Sequence, residues 1–139
     1  MTTATTTRTD NTVPVVVNLP SLEVAGIAGL ASIVAIHATE LADKTSEVPY
    51  LGAGSIALIA GAVVGIVMLS VRDPRAWRIT AATAAATLFG FVLTRTVGLP
   101  GSTDDIGNWG ETLALWAMVS ELIVLVLAAL AFRRDRTAR

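Results

Sequence analysis

Residues 48–71 read VPYLGAGSIALIAGAVVGIVMLSV, a run without one charged side chain. A helix rises about 1.5 Å per residue, so about 20 apolar residues cross a hydrocarbon layer about 30 Å thick. This segment is therefore a membrane span. Lipid offers no partner to a free backbone N–H or C=O, so the span must be a helix.

Three further segments qualify on either side of it. They run from Leu19 to Leu41, from Ala76 to Val97 and from Leu113 to Phe132. The segment from Ala76 to Val97 is rich in alanine and threonine, but Pro74 and Pro100 bracket it as start and stop signals. Charged residues make up 15% of the 139-residue chain, against about 25% in an ordinary soluble domain. They gather between the apolar stretches. The predicted fold class is all-α, an integral membrane four-helix bundle over residues 19–132, with a basic tail at 133–139.

Residues 1–18 (MTTATTTRTDNTVPVVVN) hold one arginine and only a short valine run. That composition lacks the apolar centre of a secretory signal and predicts a flexible cytoplasmic tail. Orientation follows from the basic residues. Arg72, Arg75 and Arg78 lie between the second and third spans, and Arg133, Arg134, Arg136 and Arg139 follow the fourth. Such clusters stay in the cytoplasm, so both termini are expected inside. The two acidic connections then face outward, and the expected location is the bacterial inner membrane.

The net charge of −1 gives no basic surface for nucleic acid, and the absence of cysteine excludes disulfides and thiolate chemistry. Small residues recur every four positions, as Ala53, Ala57, Gly61 and Gly65, and again as Ala82, Ala86, Gly90 and Thr94. Such strips let helix backbones approach closely. Packing within the bundle is the favoured use, and an interface with another subunit is the competing one.

Ionisable groups inside spans are costly and mark candidate sites. The first span holds Glu23, His37, Glu40 and Lys44 on one stripe, with His37 and Glu40 three apart on the same face. An imidazole beside carboxylates suits Zn²⁺ or Cu²⁺, which makes His37, Glu40, Asp104, Asp105 and Glu111 the candidate metal set. Against it stands the single histidine, since catalytic zinc and copper sites generally use several nitrogen ligands. The plainer reading has His37 hydrogen-bonded across the bundle and Glu40 hydrated at the interface. Arg95 and Glu121 lie at similar depth in the third and fourth spans, and pairing would neutralise both as a structural intramembrane ion pair.

The segment from Arg95 to Glu111 reads RTVGLPGSTDDIGNWGE, where five turn-forming glycines and prolines precede and follow the two aspartates, and Trp109 suits an interfacial anchor. The pattern TRTVGLPG, then DIGNW.E, then a span with an inward glutamate resembles small four-span membrane proteins of actinobacteria and halophilic archaea. That group has no assigned activity. The likeness is clearest from Arg95 to Glu121 and picks out Arg95, Pro100, Trp109, Glu111 and Glu121. It implies the topology and carries no catalytic role.

No phosphate-binding loop, dinucleotide fingerprint or HExxH pair is present, and one histidine excludes bis-histidine haem ligation within the chain. The expectation is a protein without catalytic activity of its own. It would serve as an accessory or structural subunit of a larger membrane assembly, such as a membrane monooxygenase or respiratory oxidase, with lipid and other membrane subunits as partners. The alternative is a small metal- or proton-handling carrier built on His37, Glu40 and Glu121.

Overall fold

Proline makes the first turn of the bundle. Val48 adopts the extended conformation that a following proline imposes, with φ −140° and ψ 90°, and Pro49 takes the first helical position, where its missing N–H costs nothing. In the computed structural model, which describes residues 19–137 (side chains from residue 21), this one residue separates α1 (Leu19–Glu47) from α2 (Pro49–Ser70). The tail expected over residues 1–18 lies outside the described residues.

α1 outruns its expected end at Leu41 because nothing between 42 and 47 breaks a helix. Asp43, Lys44 and Glu47, which lie beyond that expected end, are carried on its last turns. A helix of 29 residues is about 44 Å long, more than the ~30 Å that a hydrocarbon layer requires.

The second turn is held by polar contacts. Arg72 takes a positive φ of 55°, and the Asp73 carboxylate accepts the Arg75 N–H at 2.7 Å to start α3 (Ala76–Thr96). Arg72 Nε donates to Glu23 at 3.2 Å, which ties this turn to the beginning of α1. After the long connection, α4 (Thr112–Thr137) continues past Phe132 and carries Arg133, Arg134 and Arg136 as helix rather than as a separate tail.

Each helix packs against its neighbours in sequence, and α4 closes the ring against α1. All four are long and apolar enough to span a membrane. Ile56, Val63, Val67, Phe89, Trp116 and Ile123 are among the large apolar side chains left exposed around the bundle. A patchwork of that extent would be a liability in water and is ordinary in lipid.

Packing is uneven along the bundle. The core of Leu30, Ile33, Ala62, Leu69, Ala76, Ala84 and Val124 fills the half nearer the α2–α3 turn. Glycines permit close approach there: a Cβ on Gly26 would stand 2.9 Å from the Trp77 ring, and one on Gly65 would stand 2.9 Å from Leu30 Cδ1. The half nearer the α1–α2 turn holds a cavity instead.

Only half of each predicted small-residue strip faces inward. Gly65 is buried and Gly61 half-buried against Thr83, whereas Ala53, Ala57, Ala82 and Ala86 point outward. The inner face of α3 is a threonine row, Thr80, Thr83 and Thr87. Threonine has the shape of valine and is slightly smaller, and its hydroxyl can bond back to its own helix, as Thr87 does to the Thr83 carbonyl at 2.7 Å.

Candidate functional site

The cavity measures about 240 Å³ and lies between all four helices beneath the α3–α4 connection. Its apolar walls include Ile36, Leu51, Leu58, Phe91 and Ala117, and its polar lining includes His37, Ser55, Thr87, Arg95 and Glu121. Gly54 and Gly90 also line it, and a Cβ placed on either would meet nothing within 4 Å. Gly90 is half-buried, so the open space beside it belongs to the cavity. It persists because small residues face one another where the other half of the bundle has leucine, isoleucine and valine.

Arg95 organises the lid above it. The side chain is 6% exposed and forms ion pairs with Asp105 and with Glu111, the latter at 2.7 Å. Its guanidinium stacks over Phe91, 5.3 Å from the ring centroid, and Phe91 meets Trp109 edge-on at 5.9 Å. Phe91 stands one helical turn before Arg95, the spacing at which two side chains share a face. The backbone folds to match. Gly98, Gly101 and Gly107 take positive φ values of 76°, 77° and 78°, which side-chain-bearing residues rarely adopt. The Gly107 N–H donates to the Arg95 carbonyl at 2.9 Å, and the Tyr50 hydroxyl reaches across from α2 to the Pro100 carbonyl at 2.7 Å.

The expected Arg95–Glu121 pair does not form: Arg95 turns up into the connection and finds its two carboxylates there. The chain returning from Pro100 to Glu111 brings acids closer to the guanidinium than α4 does. Glu121 is left inside the bundle, 1% exposed, with its Oε2 atom lacking a hydrogen-bond partner.

The candidate metal set is also divided. His37, Glu40 and Asp105 line the cavity, but Glu40 pairs with Lys44 at 3.4 Å, and Asp105 and Glu111 are held by Arg95. Asp104 is exposed on the connection. Among the described residues no group of three His, Asp or Glu side chains stands close enough to hold a metal ion. Two of the five candidate ligands, Asp105 and Glu111, are thus already engaged by the arginine.

Among the cavity-wall residues absent from the sequence reading are Ser55, Thr87, Phe91 and Ala117. Phe91 carried a usable signal in its spacing to Arg95. The other three carried none, because a cavity depends on how four helices are rotated against one another.

No protein-family model, no curated protein and no solved structure matches this chain. What stands of the resemblance is the small four-span membrane architecture, with no family identified. Arg95, Pro100, Trp109 and Glu111, the positions it picked out in the connection, belong to one interlocked cap.

Proposed function

We propose that this protein takes a small ligand from the outer side of a bacterial cell membrane into the cavity beside Glu121, and that both its termini are cytoplasmic. The observation that carries this reading is the Glu121 carboxyl group. It is enclosed, unpartnered and set in the wall of a cavity. An ionisable group placed at such depth is costly and marks a working site by default. The accumulated arginines at the opposite end support the outward orientation of the cavity. His37 and Arg95 line the same cavity as Glu121.

A labelling series tests this in the naturally cysteine-free chain. Ser55→Cys, on the cavity wall, should react with methyl methanethiosulfonate in the purified protein, whereas Ala62→Cys in the tight core should not. In intact cells an impermeant maleimide should reach Asn108→Cys and should reach Thr137→Cys only after permeabilisation. Unreactive Ser55→Cys would remove the ligand cavity, and labelling at Thr137→Cys alone would invert the orientation.

A second reading rests on a different surface. Ala53, Ala57, Ala82 and Ala86 face outward as flat strips, which suit close contact with helices of another membrane protein. In that role the chain is an accessory subunit flanking a larger assembly.

A further inference from the structure

We propose that the ligand class of the Glu121 cavity is a small organic ammonium ion carrying an apolar group. The inference rests on the ligand-uptake reading above and names its chemistry. Three observations on the site select this class.

Charge comes first. The carboxylates at the cavity end of the bundle, Glu40, Asp43, Glu47, Asp104, Asp105 and Glu111, outnumber the two cations there, Lys44 and Arg95. Both cations are already engaged by carboxylates. An acidic mouth with low-dielectric walls concentrates cations and repels anions. Glu121, buried and with Oε2 unpartnered, then offers an acceptor deeper in the cavity.

Wall chemistry comes second. Inorganic divalent ions need several oxygen or nitrogen ligands, and no three acidic or histidine side chains converge among the described residues. The surface of the cavity is nevertheless mainly apolar, with leucine, isoleucine, alanine and phenylalanine contributing to it. Such a surface stabilises hydrocarbon by burying it and gives nothing to a hydrated metal ion. A pocket with a mainly apolar surface and a few placed polar groups is the usual form of an organic ligand site.

Size comes third. A dry cavity of about 150 Å³ suffices to hold benzene. At about 240 Å³ this one accommodates a ring together with a short aminoalkyl chain. The ammonium group would donate to Glu121, with the ring against Ile36, Leu58 and Phe91.

The test uses the full chain in nanodiscs, with empty nanodiscs subtracted. Equilibrium binding of 2-phenylethylammonium is compared with that of 2-phenylethanol, which has the same shape without the charge. The ammonium should bind saturably and at least about tenfold more tightly than the alcohol, the range of one charge-assisted hydrogen bond. Glu121→Gln, nearly isosteric, should abolish that preference and leave alcohol binding within about twofold. Gly90→Leu fills the cavity and should abolish binding of both compounds while the thermal midpoint holds. Equal affinities for amine and alcohol, unchanged in Glu121→Gln, would overturn the ammonium class and leave a ligand cavity standing. Saturable binding of neither compound overturns the ammonium class as well. Ser55→Cys reactivity then decides the reading beneath it: a reactive cysteine preserves the cavity, and an unreactive one removes both inferences.

Discussion

Arg95 shows how far one residue's depth in a span determines its company. Depth along the helix axis made Glu121 its natural partner, but Asp105 and Glu111 hold the guanidinium from the connection above. Removing a mostly buried cation strands two partly exposed carboxylates and a face of Phe91. Arg95→Ala should therefore lower stability by about 1–3 kcal/mol, read from reversible unfolding in detergent. A double-mutant cycle separates the candidate partners. Coupling between Arg95→Ala and Glu111→Gln should be about 0.5–1.5 kcal/mol and at least twice that between Arg95→Ala and Glu121→Gln. The reverse ranking would restore the direct Arg95–Glu121 pair. The sequence identified both residues as important because intramembrane charge is rare and costly. It could not show which carboxylate the arginine meets, since that depends on how a glycine-rich connection folds back over the helix end.

The elements themselves were legible because lipid enforces length, apolarity and internal backbone bonding together. α2 and α3 lie within one residue of their expected limits, while α1 and α4 run several residues longer. Those extensions are rich in charged residues, where hydropathy stops reporting on helix. The rotation of each helix was less legible. A four-residue repeat marks a strip but drifts around the helix, because 3.6 residues complete a turn. Gly61 and Gly90 occupy corresponding strips, yet a Cβ on Gly61 would stand 2.8 Å from Thr83 Oγ1 and one on Gly90 would meet open space. Gly61→Leu should consequently cost about 1–3 kcal/mol through overpacking. Gly90→Leu should leave the thermal midpoint unchanged or raise it, since leucine is also the better helix former. Equal damage from both substitutions would mean that the cavity is filled in the folded protein.

At the scale of the whole molecule, the two halves of the bundle divide the work. The half beside the α2–α3 turn is closed by leucine, isoleucine and valine over close glycine contacts, and it supplies rigidity. The other half is roofed by the Arg95 cap and holds the cavity. Outside that division, the chain presents Ala53 and Ala57 on α2 and Ala82 and Ala86 on α3 to its surroundings. Association in lipid gains little from hydrophobicity and depends on close backbone approach, which such strips permit. If the strips only face lipid, a large apolar residue there is harmless. If another subunit docks on them, Ala57→Phe and Ala86→Phe should release that partner and leave the bundle intact. Mild extraction into nanodiscs from native membranes, followed by mass spectrometry, makes the comparison. The wild type should carry a stoichiometric membrane partner that both phenylalanine variants lose, with their thermal midpoints within about 3 °C of wild type, the size of shift expected for a change below 1 kcal/mol. Recovery of the wild-type chain without any partner would end the accessory-subunit reading, and the protein would then act alone through the cavity beside Glu121.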